Sequence, residues 1–348
     1  MSPPFHGERV HVYGQLVRDI TRRVLAAWPL GRPFPIQHEM QAITLDVIVR
    51  AVFGVEEGPK LHELRRRLLH FLVLADGPGA AFIVIPFLQY ELGGLTPWGR
   101  YVRRARAIDE ILYAEMARRR AAGTAGRSDI LSLLIEARDE RGNGMTDGEL
   151  RDEMFTLLMA GHETTATSLA WVFWHVLRHP DILARLRDEL QAVAGDAPIE
   201  PGHVARLEYL DAVIKETQRL TPVVPFTGRM LRAPARIGGR ELPAGVGVSP
   251  AIYVTHRRPD LWPEPECFRP ERFLGTRPSP GQFFPFGGGV RRCLGAAFAT
   301  YEMKVVLAEV LRRCELRIAP GYRMHPVQRA ITFAPSGGMP VVMDAVRS

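Results

Sequence analysis

The feature that most constrains this chain is a run with no helix breaker from Thr146-Asp147-Gly148-Glu149 to His179-Pro180. Thr and Glu three apart can satisfy each other's backbone amides, which marks a helix start. The spacing predicts one helix of roughly 30 residues, about 45 Å long. Its middle, Met154 to Ala160, is apolar all round and is expected to cross a protein interior. Such a helix needs a large core. The chain has 348 residues and 46% hydrophobic content, which supplies one and excludes disorder as the main state.

Helices are expected around this one. Val10, Tyr13, Val17, Ile20 and Val24 recur three and four apart, on one helix face. Further helices are predicted over His38 to Phe53 with a stop at Gly54, Leu61 to Leu74, Arg100 to Ala121, Asp129 to Arg138, Asp181 to Val193 and Leu207 to Leu220. From Thr221 the texture changes. Arg236 to Leu242 and Val246 to Val254 read as hairpin strands, and Pro259 to Phe273 as a Pro-rich meander. A last helix, Gly295 to Arg313, precedes strand-like Leu316 to Ile318 and Pro340 to Val342. The fold class expected is mainly α with a small β region. No low-complexity linker divides the chain, so residues 1–348 are read as one domain, with 1–228 mostly helical and 229–348 carrying the hairpins, meander and last helix.

Net charge is +7, with arginines scattered along helical stretches and no dense basic cluster beside aromatic residues. Nucleic-acid binding is disfavoured. A basic face for an acidic protein partner fits, as does an ordinary solvated surface. The three cysteines, Cys267, Cys293 and Cys314, have no paired spacing and an odd count. That argues against a disulfide framework and for a reducing, cytoplasmic compartment. No transmembrane run or signal-peptide pattern is present.

Three segments carry chemistry. In Phe286-Gly287-Gly288-Gly289-Val290-Arg291-Arg292-Cys293-Leu294-Gly295, a Gly-rich loop delivers a cysteine to a helix mouth. Amides, helix dipole and two arginines all favour thiolate, a metal ligand or nucleophile. No Gly-Lys-Ser/Thr follows, so a phosphate-binding P-loop is excluded. Cys267 and Cys314 read as small buried hydrophobes. In Ala160-Gly161-His162-Glu163-Thr164-Thr165, an acid and hydroxyls interrupt an apolar helix, where charge is costly unless used. Hydroxyls there can bond back to the preceding turn and bend the helix. A His-Glu-x-x-His zinc site fails because residue 166 is alanine. In Glu216-Thr217-Gln218-Arg219, Glu and Arg share a helix face, a pattern that alone is commonly a surface pair.

Taken together and in this order, the three segments resemble cytochrome P450 enzymes, over essentially the whole chain. The resemblance implies haem b, with Cys293 as its iron ligand, Phe286 packed by the sulfur, Gly289 and Gly295 in the loop, and Arg291 and Arg229 at propionates. Ala160 and Gly161 would lie at the cofactor, Gly161 leaving room for substrate or dioxygen. Thr164 would hold dioxygen and its protons, with Glu163 in the proton relay. Glu216, Arg219 and Arg272 would form a buried network bracing the haem loop. The activity implied is insertion of one oxygen atom from O2 into a lipophilic small molecule. Electrons would come from a ferredoxin or flavoprotein, since no flavin or nicotinamide signature is present. Ala80 to Leu88, Phe155 to Gly161, Val223 to Thr227 and Ser336 to Met339 are the expected pocket lining. The family has further helices and strands upstream of the point where this chain begins, so a shortened N-terminus is expected. A catalytically silent haem-thiolate relative is the alternative; peroxide-driven or isomerase chemistry is a third, against which Glu163 and Thr164 weigh.

Overall fold

The run opening at Thr146 does form one helix, α6, over Asp147–Arg178, 32 residues and about 48 Å. Its start is the expected reciprocal cap: the Thr146 amide donates to Glu149 Oε2 at 2.9 Å, and the Glu149 amide to Thr146 Oγ1 at 3.2 Å. The computed structural model describes residues 9–54, 58–75, 89–91, 95–127, 129–329 and 331–347. The chain condenses into two units, each built from several stretches of sequence.

One unit comprises Met1–Trp28, His38–Ala166 and Ala297–Glu309. It takes in α1 (Arg9–Leu25), most of α2 (Ile36–Phe53), α3 (Pro59–Ala75), α4 (Pro97–Ala122), α5 (Ile130–Glu136), the first part of α6 and the middle of α11 (Ala296–Arg313). Val17, Ile20, Met40, Ile43, Leu68, Phe71, Ile108 and Leu112 fill its interior. A polar knot sits among them. Arg119 of α4 is fully buried and donates from Nη1 to Asp129 Oδ1 and Ser132 Oγ, both at 2.5 Å, and from Nη2 to the Phe53 carbonyl at 2.6 Å. Asp129 also caps α5, so one guanidinium ties the end of α2, the last turn of α4 and the start of α5. On α11, Glu309 is buried but meets Arg22 at 2.8 Å. Glu302 is buried with Oε1 unpartnered, and burial pushes its carboxyl well above the usual range.

The other unit comprises Pro29–Gln37, Thr167–Ala296 and Val310–Ser348. It contains α7 (Pro180–Ala194), α8 (Pro201–Arg206), α9 (Glu208–Leu220) and α10 (Ile252–Thr255). It also holds the described strands, β1 (Pro33–Pro35), β2 (Arg229–Met230), β3 (Ala235–Ile237), β4 (Arg240–Leu242), β5 (Gly247–Val248), β6 (Cys314–Ile318), β7 (Pro326–Arg329), β8 (Thr332–Pro335) and β9 (Pro340–Val346). These form an antiparallel sheet in the order β1-β9-β6 and three two-stranded ribbons, β2-β5, β3-β4 and β7-β8. The class is mainly α with small sheets. Among the described residues no helix is long and apolar enough to cross a membrane.

Four expectations need correcting. The apolar stretch Met154 to Ala160 is not buried all round. Met154 and Leu158 are buried, but Thr156 and Ala160 are exposed, and burial becomes nearly continuous only from His162 to Val176. Thr156 and Ala160 lie four apart, so they share one stripe, and their small side chains make its exposure cheap. Val246 to Val254 is not one strand: only Gly247 and Val248 pair, and residues 252–255 coil into α10 with Ile252 buried. Pro250 lacks the amide a continued ladder needs. The helix expected to reach Arg138 ends at Glu136, because Arg138 instead bridges to Gly144. Cys267 is exposed, whereas Cys314 is buried as expected. Short β1 escaped the sequence reading, and Ala80 to Leu88 lies outside the described residues.

Arg119→Met should cost about 3–5 kcal/mol, because it leaves the buried Asp129 carboxylate without its cation. Urea unfolding measures this; a loss below about 1 kcal/mol, the size of an exposed pair, would contradict the buried-knot assignment.

Candidate active site

Glu216 and Arg219 are both wholly buried, so the surface-pair reading is wrong here. Three apart on α9, they meet through two parallel bonds: Arg219 Nε to Glu216 Oε2 at 2.7 Å and Nη2 to Oε1 at 2.9 Å. Arg272 Nε adds a third bond to Oε1 at 3.0 Å, and the Arg269 amide a fourth at 2.8 Å. Arg272 lies in the 3-10 turn Pro270–Phe273, the end of the meander. Arg219 spends its other donors on backbone: His256 O at 2.8 Å, Pro265 O at 2.7 Å and Cys267 O at 3.2 Å. A carboxylate and two guanidiniums thus hold the meander against α9.

The cysteine loop lies in the same unit. The Cys293 amide donates to the Phe286 carbonyl at 2.9 Å, closing the loop at its base. Between them Gly287 and Gly289 take φ of +70° and +65°, which side chains resist, and Gly289–Arg291 forms a 3-10 turn. A Cβ placed on Gly288, Gly289 or Gly295 would meet nothing within 4 Å. Val290, Arg291, Arg292 and Cys293 are exposed. The helix α11 starts just after, with Gly295 as its N-cap. The loop does not by itself favour thiolate, contrary to expectation. Cys293 is open on one side, yet the protein around the sulfur desolvates it and pushes the thiol up; the Gly295 amide and Arg292 only partly offset this. A coordinated metal would do what the loop alone does not, since a coordinating thiol is deprotonated outright. Arg229, on β2, is exposed and bonds the Gly228 carbonyl at 2.7 Å.

The segment 160–165 lies in the other unit. Gln41 Nε2 of α2 donates to Glu163 Oε2 at 2.5 Å, and Thr44 Oγ1 to the His162 carbonyl at 3.0 Å. Thr164 Oγ1 bonds back to the Ala160 carbonyl at 2.7 Å, as the sequence predicts, and α6 continues through without a break. At Gly161, α2 packs closely on α6. A Cβ there would come within 3.0 Å of Ile48 Cδ1, so its missing side chain lets α2 approach α6, and that space is filled by Ile48. Gln41, Thr44 and His256 were not found from sequence. Gln41 and Thr44 lie on a helix read only for its apolar face, and no spacing marks His256. Of the expected pocket lining, Phe226 is exposed while Ser336 and Met339 are buried.

An iron-tetrapyrrole site fits these residues. Among the described residues no group of three or more His, Cys, Asp or Glu could hold a bare metal ion, and Cys293 would offer a bound metal one sulfur donor. That donor stands exposed on a glycine loop whose Gly288 and Gly289 have open space around them. The known proteins this chain matches agree. The family profile described as Cytochrome P450 matches residues 1–340. A protein of Mycobacterium tuberculosis named cytochrome P450 135B1 is 41% identical over 348 residues, covering 100% of this chain and 71% of the relative. Among solved structures, the haem domain of cytochrome P450DA superposes with TM-score 0.84 at 26% identity, covering 99% of this chain and 76% of that one. The cyanobacterial CYP120A1 with bound retinoic acid gives TM-score 0.83 at 28% identity, covering 98% and 76%. The chain belongs to the cytochrome P450 family. It is a haem-thiolate monooxygenase.

Three histidines are buried as neutral rings, each pushed down mainly by burial: His162 to about 4, His175 to about 3 and His256 to about 4. Because the unfolded chain binds protons these sites refuse, their contribution to stability is complete above about pH 6.5 and is lost as pH falls toward about 4. The slope reaches about 1.4 kcal/mol per pH unit for each ring. Urea midpoints at pH 7 and pH 5 should differ accordingly, and His162→Gln, which removes one of the three rings, should reduce the difference by about a third; a flat wild-type profile would contradict the assignment.

Proposed function

We propose that this enzyme inserts one atom of O2 into a lipophilic small molecule, with haem b bound through Cys293 and electrons delivered by a ferredoxin or flavoprotein. The observation that carries the reading is the exposed Cys293 at the closed base of a glycine loop, in a unit that also holds a buried carboxylate–guanidinium network. Haem held there would supply dioxygen activation, and a thiolate ligand favours O–O cleavage. The protein's own part is binding, orientation and proton movement. Arg291 and Arg229, both exposed, are the proposed propionate partners. Phe286 and the Gly289 and Gly295 backbone shape the loop around the sulfur.

On α6, the proposed roles are those of a proton path. The Thr164 hydroxyl donates to the Ala160 carbonyl, which leaves its oxygen lone pairs to accept a hydrogen bond from a water. Glu163, steadied by Gln41, passes protons to that hydroxyl. The exposed stripe of Thr156 and Ala160 is small and weakly polar, which suits a lipophilic substrate. The retinoic acid bound by the similar CYP120A1 supports that substrate class.

Reduced carbon-monoxide difference spectra test the ligand. The chain should give the strongly red-shifted thiolate band, and Cys293→Ser should lose it. Wild-type protein that folds without this band would put the silent-relative reading first. With substrate turning over, Thr164→Ala should divert reducing equivalents to peroxide, lowering coupled product formation by about a hundredfold, the low end for a lost acid–base group. Unchanged coupling would remove Thr164 from the proton path.

A further inference from the structure

His256 stands outside every role assigned so far, yet it touches both halves of the proximal structure. It directly follows α10, and its side chain is wholly buried. Its carbonyl receives Arg219 Nη1 at 2.8 Å, tying its backbone to the Glu216 network. Its ring Nε2 receives the Phe284 amide at 2.9 Å. That bond defines the tautomer: Nε2 must be the bare acceptor, so in the neutral ring the proton sits on Nδ1. The ring stacks on Phe283, with centroids 5.1 Å apart, and meets Phe284 edge-on at 5.3 Å. Arg219 and Arg257 are the charged groups near it, and both disfavour a second proton on the ring. The carbonyls of Gln218 and Arg219 favour that proton, but neither reaches hydrogen-bonding geometry with Nδ1.

What Phe284 does next gives the contact its meaning. The Phe284 carbonyl accepts the Gly287 amide at 2.9 Å, closing the turn around Pro285. One residue on from Pro285, the Phe286 carbonyl accepts the Cys293 amide, also at 2.9 Å. The bonds therefore run without interruption along the chain from Glu216 through Arg219, His256 and Phe284 to the loop base at Phe286 and Cys293. The half-buried Phe284 amide has no other partner among the described residues, so losing the imidazole acceptor would leave it unsatisfied.

We propose that His256 is a positioning residue for the haem-ligating cysteine: its imidazole anchors the Phe284 turn and so conveys the rigidity of the Glu216–Arg219–Arg272 network to the base of the Cys293 loop. The inference rests on the reading of Cys293 as the haem ligand, but the hydrogen bond that carries it does not. His256 touches neither substrate nor cofactor in this role; it acts through the backbone of residues 284–287.

Two variants separate positioning from mere filling of space. His256→Phe keeps a ring of similar size without an acceptor, and His256→Gln places an amide oxygen near the site of Nε2. Two quantities are read on the purified holoenzyme: hydrogen exchange of the peptide spanning Phe283 to Gly287, and the lifetime of the thiolate-type carbon-monoxide band at fixed temperature. For His256→Phe, exchange at Phe284 should quicken by about tenfold, the effect of one lost hydrogen bond. Its band should convert severalfold faster to the non-thiolate form, while α4 peptides exchange as in wild type. His256→Gln should restore both readouts most of the way. The proposal is overturned if His256→Phe leaves both at wild-type values, or if both variants lose protection equally throughout the chain. If His256→Phe does not fold, wild-type exchange decides: a slowly exchanging Phe284 amide supports the anchor, and a rapidly exchanging one removes it. A wild-type chain with no thiolate band would fault the Cys293 reading, and the exchange measurement would still judge His256.

Discussion

Everything on the cysteine side depends on one guanidinium with no hydrogen left to spare. Arg219 has five N–H groups and makes five bonds, two to Glu216 and three to the carbonyls of His256, Pro265 and Cys267. Trp262 adds a ring 5.4 Å from the charge. Taking such a pair out of water is expensive, and it becomes tolerable only when every lone pair and proton finds a partner. Lysine could not substitute, because a single ammonium lacks the planar fork that reaches a carboxylate and three backbone oxygens together. The gain is geometric: three points on an otherwise irregular segment are held relative to a helix, and a loop hung from them inherits that order.

The stretch around Glu163 is organised on a different plan. There the helix supplies the order, and the polar groups are few: one amide to a carboxylate, one hydroxyl to a carbonyl from α2, one hydroxyl to its own preceding turn. Ile48 nests in the gap left by Gly161, so the α2–α6 contact is tight at the place where the polar residues emerge. Close packing behind a reactive face restricts rotamers without adding charge.

Sequence legibility followed the kind of signal each element carries. Helices with a strong apolar period or a clear cap were located to within a few residues, as α2, α6, α7 and α9 show. The cysteine loop was legible because glycines with left-handed φ and a helix mouth leave a dense local pattern. Burial was less legible. Met154 to Ala160 is apolar in composition, but composition does not say which stripe faces a neighbour. Glu216 and Arg219 look like a surface pair until Arg272 and the meander, more than fifty residues on, close over them. The thiol of Cys293 was misjudged for a related reason: dipole and arginines can be read from sequence, whereas desolvation by a folded loop cannot. Gln41 and His256 act through partners 122 and 28 residues away, a distance over which no local motif operates.

Glu302 has a consequence for the heat of folding. Burial on α11 pushes its carboxyl well above the usual carboxylate range, so folding favours proton uptake there once the medium is basic enough to ionise the unfolded chain's carboxyl. His162, His175 and His256 act in the opposite direction once the medium is acidic enough to charge them when unfolded. The folding reaction therefore exchanges protons with its surroundings, with a balance that shifts as the medium is acidified. Its calorimetric enthalpy must include the ionisation heat of whatever buffer is present, so two buffers at one pH will report different heats for the same structural change.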